Sequence, residues 1–391
     1  MTNPDTAPPA RQLWPLYAAG FTTAFGAHAV AASLGSEAGD LATSLLYLGL
    51  LLALYDGAEV VLKPVFGTLA DRIGARSVMI GGLVGFALFS ALFVFADDSA
   101  WLWVSRLGQG AAASAFSPAA GALVARLNPS ASHGRAFGSY GFFKSIGYMA
   151  GPLLGGVIVW LGGLSALFVV LTVVAAVTAA WAAVAVPSVP PLPKSRQTLL
   201  GLARRLGDRT FLGPTAALAA STAALSVGVG FLPVSGAAAG LGPVVTGAAV
   251  SLLAAVAAVV QPRVGRALDA GRFTAGFGMT VGLAVTAAGL ACAMIPGIAG
   301  VLLAAAGIGI GTGVITPVGF AALASSTPPE RIGQTLGAAE LGRELGDAGG
   351  PLLVGGVAAV ATLTVGYGVL AAITAAWPAA AGLRRPRTSA R

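Results

Sequence analysis

The sequence predicts an all-α integral membrane protein, with twelve transmembrane helices in two parallel six-helix halves. Three observations predict this fold: the composition, a series of apolar segments and an internal repeat. Hydrophobic residues make up 56% of the 391 residues and charged residues only 9%, whereas soluble proteins carry roughly 25% charged residues. The chain therefore has too few charges to cover a water-soluble particle of this size.

Twelve apolar segments follow one another along the chain, separated by Gly, Pro, charged or short polar stretches. Each is close to the roughly 20 residues that a helix needs to cross the bilayer core. The first is interpreted as an uncleaved span rather than a signal peptide, because everything after it is also apolar. The predicted spans are 14–34, 41–66, 78–96, 101–123, 136–160, 164–186, 211–232, 243–264, 273–295, 298–323, 335–360 and 363–383.

The basic residues predict the orientation of the chain. The 22 Lys and Arg lie inside spans, in the termini or in alternate loops, whereas the opposite loops carry only acids or no charge. The positive-inside rule then places both termini on the cytoplasmic side of the inner or plasma membrane. This topology accounts for the net charge of +8, and binding of nucleic acid is not expected.

An internal repeat relates the two halves of the sequence. The segment KPVFGTLAD, from Lys63, matches QPRVGRALD, from Gln261, 198 residues later. Two parallel six-helix halves are a known transporter architecture. We therefore predict an N-terminal half (1–186), a basic, Pro-containing cytoplasmic linker (187–210) and a C-terminal half (211–391). Further pairs lie 199 residues apart: Pro118 and Pro317, Gly138 and Gly337, Lys144 and Arg343, and Pro152 and Pro351.

The segment GTLADRIGAR, between predicted spans 2 and 3, resembles motif A of the major facilitator superfamily. The resemblance implies that Gly67 permits a tight exit from the helix and that Asp71 faces helix termini of the opposite half. The two arginines would anchor the cytoplasmic face. Ala75 departs from the motif, which usually has a basic residue there. The matching residues are Gly67, Asp71, Arg72, Gly74 and Arg76.

The segment RLGQGAAASAF, on predicted span 4, resembles motif B of the same superfamily. An unpaired guanidinium at membrane depth is costly, so Arg106 is expected to face a partner, water or substrate. The alternative is an arginine that extends its side chain to a nearby interface. The matching residues are Arg106, Gln109 and Gly110.

The segment GYMAGPLLGG, on predicted span 5, resembles motif C, which is more typical of proton-driven exporters than of uptake permeases. Glycines that recur every four residues let a neighbouring helix approach closely, and a proline permits a kink. Packing of small residues without a transport role is the alternative. The matching residues are Gly147, Gly151, Pro152, Gly155 and Gly156.

Charged residues inside predicted spans mark ion or substrate pathways. Arg343 lies at a depth similar to that of Asp56 and Glu59, and spans 2 and 11 of the family meet, which predicts a charge-paired gate. The alternative is a structural network within helices, pairing Glu59 with Lys63 and Arg343 with Asp347. A neutral, hydrogen-bonded His28 is likewise the alternative to a proton or substrate contact. The candidates are His28, Asp56, Glu59, Arg106, Lys144, Glu340, Arg343, Glu344 and Asp347.

The resemblance implies a secondary transporter rather than an enzyme. The sequence shows no nucleophile with a base, no phosphate-binding loop and no metal-ligand set, so we expect no cofactor other than a proton gradient. We predict a monomeric, proton-coupled antiporter that exports small, amphiphilic, drug-like molecules by alternating access. The expected partners are this substrate, protons and lipid. The alternatives are a proton-coupled uptake permease for a small metabolite and, more remotely, a non-transporting membrane receptor.

Overall fold

The computed structural model describes residues 10–34, 41–95, 99–189, 208–241 and 243–380. Within these ranges the chain forms twelve α-helices, as the sequence predicts. The first six are α1 (Ala10–Leu34), α2 (Leu41–Ile73), α3 (Ala75–Phe95), α4 (Ser99–Leu127), α5 (133–161) and α6 (164–185). The last six are α7 (Arg209–Ala238), α8 (Pro243–Asp269), α9 (Ala275–Cys292), α10 (Ile298–Ser325), α11 (Ile332–Val360) and α12 (Leu363–Ala380).

Helices α5 and α6 are two arms of one helical run, His133–Ala185, that is broken at two glycines. Gly162 has φ −153° and ψ 19°, and Gly163 has φ 70° and ψ −176°. Glycine has no Cβ and adopts a positive φ without the steric penalty that other residues meet. The break falls between predicted spans 5 and 6.

The end of α2 corrects one expectation. The sequence predicts that span 2 ends at residue 66 and that Gly67 permits the exit, but the helix continues to Ile73. The turn is made at Gly74, which has φ 101°, and α3 begins at the next residue. A tight exit at Gly67 is therefore wrong, and Gly67 has a different structural reason, described below.

The chain divides into two compact units. The first comprises Met1–Ser130, Ser139–Ser195 and Thr327–Leu341, and the second comprises Ala131–Gly138, Arg196–Ser326 and Gly342–Arg391. Each unit thus includes a short segment from the other half of the sequence, at the start of α5 or of α11. The predicted linker lies largely at 190–207, outside the described residues, and the predicted halves stay a prediction.

Each unit is organised around one central helix. In the first unit α4 packs against α1, α2 and α3, and in the second unit α10 packs against α7, α8 and α9. Pro118 on α4 and Pro317 on α10 belong to the internal repeat, so the two central helices are equivalent positions of that repeat. Alanine and glycine are abundant on both helices, and small side chains let helix backbones approach closely.

Six apolar segments of the described helices are long and apolar enough to cross a membrane by length and composition. Helices α2, α4 and α11 have 33, 29 and 29 residues and carry the charged residues that the sequence marks as functional. Such charges lower mean hydropathy and are kept in membrane helices chiefly where function requires them. The chain is a multi-pass membrane protein. The six segments are Ala75–Phe95, Leu153–Ala185, Thr210–Ala238, Val245–Asp269, Ala275–Cys292 and Ile298–Ser325.

Candidate functional site

The Asp71 carboxylate caps the N-terminus of α11 within the first unit. One oxygen accepts the backbone N–H of Gly333 at 2.9 Å and the other accepts that of Gln334 at 2.8 Å. The first N–H groups of a helix have no partner inside the helix, and the N-terminal end of the helix dipole favours negative charge. This is the position at a helix terminus that motif A implies for Asp71.

The repeat-related Asp269 caps α5 in the same way within the second unit. Its two oxygens accept the backbone N–H groups of Gly134 and Arg135 at 2.7 and 2.6 Å. His133, at the first position of α5, lies with Nδ1 3.2 Å from the Ser325 hydroxyl. The two halves of the sequence repeat therefore produce two carboxylate-capped helices, one in each unit.

Glycines allow the helices at both caps to approach to backbone contact. A Cβ added at Gly67 would lie 2.5 Å from the Gly333 carbonyl oxygen, and one added at Gly134 would lie 2.5 Å from the Gly265 carbonyl oxygen. Real Cβ atoms do not approach a carbonyl oxygen so closely. Close approach of α2 to α11, rather than an exit from the helix, is thus the structural reason for Gly67.

The two arginines of motif A differ in exposure and in their contacts. Arg72 is exposed, whereas the Arg76 guanidinium donates to the Ala183 carbonyl oxygen at 2.5 Å. Arg76 therefore ties the start of α3 to the end of α6. Arg126 on α4 acts electrostatically on Asp71.

The motif B arginine is fully buried among helices of the first unit. Arg106 is 1% exposed, its guanidinium lies 4.4 Å from the Tyr55 ring centroid, and it donates to Gln109 Oε1 at 3.2 Å. The Gln109 amide then donates to Ser90 Oγ at 2.8 Å, and Ser90 donates to the Phe86 carbonyl oxygen at 2.7 Å. This series of hydrogen bonds fixes the guanidinium inside the unit, so the Arg106 side chain does not extend to an interface.

The acids of α2 differ in burial. Glu59 is 6% exposed and forms an ion pair with Lys63, one turn later on the same helix. Asp56 is exposed, and the charges of both acids act on Arg106. The intrahelical pairing of Glu59 with Lys63 is the one that the structural alternative predicts. Asp56, Glu59, Lys63 and Arg106 thus form one electrostatic group in the first unit.

The charged residues of α11 become more exposed along the helix. Glu340 and Arg343 are 5% and 9% exposed, Glu344 is partly exposed and Asp347 is exposed. In the first unit the Lys144 ammonium on α5 lies 3.9 Å from Glu340 Oε2.

In the second unit Arg343 Nε donates to Thr222 Oγ1 at 3.4 Å, and the guanidinium lies 5.8 Å from the Phe320 ring centroid. Arg343 belongs to the second unit, whereas Asp56 and Glu59 belong to the first. The predicted gate between Arg343 and these acids therefore stays a prediction.

The motif C glycines form the seam between α5 and α1. A Cβ added at Gly147 would lie 2.6 Å from the Phe21 carbonyl oxygen, and those at Gly151 and Gly155 would each lie 2.9 Å from atoms of His28 or Ala29. Gly156 faces open space, and the Pro152 side chain lies outside the described part of the structure. Three of the four glycines thus act as small residues that let two helices touch.

Aromatic rings flank this seam. The ring of Phe143 stacks on Tyr17 at 5.1 Å, and Phe21 stacks on Phe25 at 5.5 Å between centroids. The Tyr148 ring meets the His28 ring edge-on at 4.4 Å. The aromatic face is defined here as the partly exposed rings of Tyr17, Phe21, His28, Phe143 and Tyr148.

His28 is held by its own helix as well as by this ring. Its Nδ1 lies 3.1 Å from the Ala24 carbonyl oxygen, one turn earlier. This geometry matches the hydrogen-bonded imidazole of the structural alternative, and a role in proton or substrate contact stays a prediction. Among the described residues, no group of three or more His, Cys, Asp or Glu side chains is placed to hold a metal ion.

Several residues of these sites escaped the sequence analysis. Tyr55 beneath Arg106 and Thr222 beside Arg343 carry no sequence signal, because their roles depend on the rotation of packed helices. Gly134 and Gly333 did carry such a signal, because they are 199 residues apart, which is the offset of the repeat. Each is the second residue of a long helix, α5 or α11.

Curated proteins with similar sequences match about a third of the chain. A segment of 124 residues is 34% identical to the MFS-type transporter ppzB of Metarhizium rileyi, covering 32% of this chain and 26% of that protein. A segment of 120 residues is 32% identical to the class H tetracycline resistance protein of Pasteurella multocida, covering 31% and 29%. A segment of 117 residues is 30% identical to the quinolone resistance protein NorA of Staphylococcus aureus, covering 30% of each. The chain thus matches less than a third of the length of these relatives.

Solved structures match over nearly the whole fold. The human organic anion transporter MFSD10 superposes with a TM-score of 0.80 at 18% identity, over 96% of this chain and 100% of that one. The fucose:proton symporter FucP of E. coli superposes with a TM-score of 0.75 at 14% identity, over 94% and 98%. The profile of the Major Facilitator Superfamily matches residues 16–278, about two thirds of the chain. The chain therefore belongs to the Major Facilitator Superfamily, which places it among membrane transporters and not among enzymes.

Proposed function

We propose that this chain is a proton-coupled antiporter that exports small amphiphilic molecules by alternating access. The observation that carries the proposal is the set of ionisable side chains buried inside membrane helices: Glu59, Lys63, Arg106, Lys144, Glu340 and Arg343. Charged groups at membrane depth are costly, and in membrane proteins they mark ion and substrate pathways. A protonatable acid with a nearby base is what coupling to a proton gradient requires. No cofactor is needed, and the working unit is a single chain.

The aromatic face supports the proposed substrate class. Ligand sites are lined mostly by apolar and aromatic side chains, with a few polar groups that fix orientation, and aromatic rings stack favourably on other rings. His28 supplies a polar group among those rings. Tetracycline and quinolone resistance proteins are among the partial relatives, and both drug classes are planar, polycyclic and amphiphilic.

The two helix caps support the alternating-access part of the proposal. The basic residues of the sequence predict that the ends of α2 and α8, where Asp71 and Asp269 lie, are on the cytoplasmic side. Each cap is a small contact of two hydrogen bonds and one glycine pair, so it is able to form and break. A bias of a few kcal/mol between two conformations is enough for a ligand or proton to shift their populations.

Transport in vesicles of known orientation tests the proposal. Purified protein is reconstituted, and the orientation is measured by trypsin cleavage at Lys194 and Arg196 of the predicted cytoplasmic linker. Tetracycline, norfloxacin and ethidium serve as test compounds. With the cytoplasmic surface outward and an acidic lumen, we expect accumulation of at least one compound, lost when nigericin and potassium collapse the pH gradient.

The opposite geometry separates export from uptake. Accumulation that occurs only with the cytoplasmic surface inward and an acidic medium would identify an uptake permease and contradict export. Empty vesicles, and vesicles with the same protein at zero gradient, control for passive partition of these compounds into lipid.

A further inference from the structure

Two acid–base pairs are buried in the first unit, and they differ in how they are built. Glu59 and Lys63 lie one turn apart on α2. Lys144 and Glu340 lie on different helices, α5 and α11, with Nζ and Oε2 3.9 Å apart and side chains 10% and 7% exposed. Both pairs are shielded from solvent, so both acids are candidates for a transported proton.

Only the Lys144–Glu340 pair depends on the relative position of two helices, α5 and α11. A pair within one helix keeps its separation when that helix moves as a rigid body. A pair between helices loses its Coulomb attraction as the helices separate, and this attraction is strong where the surroundings exclude water. By the same coupling, a change in the charge of Glu340 changes how strongly α11 is held to α5.

The two residues of the pair have different surroundings. Lys144 lies three residues before Gly147, where α5 touches the backbone of α1. Glu340 lies three residues after Gly337, where α11 touches the Lys63 carbonyl oxygen of α2. Glu340 is also next to the last residue of the α11 segment that belongs to the first unit, since that segment ends at Leu341.

Other ionisable groups lie on the helices that surround this pair. On α2, Glu59 and Lys63 are paired with each other, and Asp71 lies at the N-terminus of α11 with Arg126 of α4 acting on it. On α11 itself, Arg343 bonds to Thr222, and the more exposed Glu344 follows it. Lys144 is the cation that pairs with Glu340 across the two helices, with Nζ 3.9 Å from Oε2.

We infer that Glu340 carries the transported proton and that its ion pair with Lys144 couples protonation to movement of α11. This inference rests on the proposed proton-coupled transport and deepens it by naming the acid. With Glu340 ionised, the pair holds the 327–341 segment of α11 to α5. Proton uptake by the Glu340 carboxylate removes the attraction and releases the segment, and return of the proton to the other aqueous phase restores it.

The first test separates coupling from carrier function. In vesicles, Glu340→Gln should still exchange labelled for unlabelled test compound at zero gradient, within about twofold of wild type. Accumulation driven by the pH gradient should fall at least tenfold. Glu330→Gln, which removes a less buried acid from the same segment of the chain, is the matched control and should retain both activities.

The second test needs no substrate. In a Cys292→Ser background, Ala339→Cys places a thiol beside Glu340 at a position that is 0% exposed. We expect a thiol reagent to label it at least fivefold faster at pH 5.5 than at pH 8, after correction for the pH dependence of a free thiol. With Glu340→Gln added, labelling should be fast at both pH values. With Glu330→Gln added instead, the pH dependence should persist.

These outcomes distinguish failure of the inference from failure of the proposed function. If wild type accumulates a test compound and Glu340→Gln accumulates it equally well, the inference is overturned while proton-coupled export stands. Persistent pH-dependent labelling in Glu340→Gln also overturns it, as does loss of coupling in Glu59→Gln with coupling retained in Glu340→Gln. If wild type transports none of the compounds, the proposed function fails, and the labelling experiment still decides whether Glu340 controls the segment.

Discussion

The cap of α11 by Asp71 and the cap of α5 by Asp269 share their main-chain geometry but differ in the side chains around them. Both carboxylates accept two successive N–H groups at 2.6–2.9 Å, and the second residue of each helix is a glycine in backbone contact. The shared part consists of one acid and two glycines on each side.

The differences lie at the neighbouring positions of the repeat. His133, at the first position of α5, corresponds to Ile332 on α11, 199 residues later, and Arg126 on α4 corresponds to Ser325 on α10. Asp71 therefore has Arg126 acting on it, whereas Asp269 has Arg135 and His133. The comparison shows that duplication preserved the backbone contact while each side acquired its own set of cations.

The largest effect on transport is expected from substituting the glycines that the two caps have in common. Gly67→Ala and Gly265→Ala each place a Cβ against a backbone carbonyl that cannot rotate away. Overpacking of this kind costs about 1–3 kcal/mol, so we expect gradient-driven transport to fall roughly tenfold for each variant.

Gly81→Ala is the matched control for these glycines. A Cβ there meets nothing within 4 Å, and alanine is the better helix former, so transport and thermal stability should equal or exceed those of wild type. Wild-type transport by both Gly67→Ala and Gly265→Ala would show that neither contact is needed for the transport cycle.

These glycines also show what the sequence could predict. The twelve helices follow from apolar length, and the repeat predicted that Asp71 and Asp269 are equivalent. The α2 helix extends past residue 66 to Ile73 because apolar patterning detects the lipid-facing stretch of a helix and not its continuation beyond the membrane. A helix end was better indicated by Gly74, where a positive φ makes the turn.

The charged pairs show the same limit: the sequence predicts a pair within one helix but not a pair between two helices. The pairing of Glu59 with Lys63 is local, so i,i+4 spacing was enough to predict it. Lys144 and Glu340 are nearly 200 residues apart in sequence, and their contact depends on the rotation of two helices, which composition and spacing do not contain. Similar depth, together with the meeting of spans 2 and 11 in the family, predicted Arg343 as the partner of the α2 acids, and this pairing stays a prediction. Within the second unit Arg343 contacts Thr222 and Phe320.

A smaller effect is expected from removing the charge of each cap. Asp71→Asn and Asp269→Asn keep one acceptor oxygen but lose the second, and charge-assisted hydrogen bonds are about twice as strong as neutral ones. Loss of a helix cap costs about 1 kcal/mol, which corresponds to roughly a fivefold loss in transport rate with expression preserved.

A third helix cap provides the control for these two. Asp208 accepts the Thr210 N–H at the N-terminus of α7, but it contacts no other helix through this bond. Asp208→Asn should therefore leave transport within about twofold of wild type. If all three Asn variants transport equally, the carboxylate caps stabilise individual helices only, and the Asp71 carboxylate has no role in the transport cycle of this protein.

The smallest expected effect distinguishes the two caps from each other, through His133. His133 acts electrostatically on the Asp269 carboxylate, whereas Ile332, at the equivalent position of α11, has no ionisable side chain. In a double-mutant cycle of His133→Ile and Asp269→Asn, melting temperatures in detergent should therefore be non-additive by about 1–2 °C. A parallel cycle of His133→Ile and Ser325→Ala measures the contribution of the 3.2 Å contact between the imidazole and the Ser325 hydroxyl. Additive melting temperatures in the first cycle would mean that His133 stabilises the start of α5 without acting on the Asp269 carboxylate, and that the two caps do not differ through this residue.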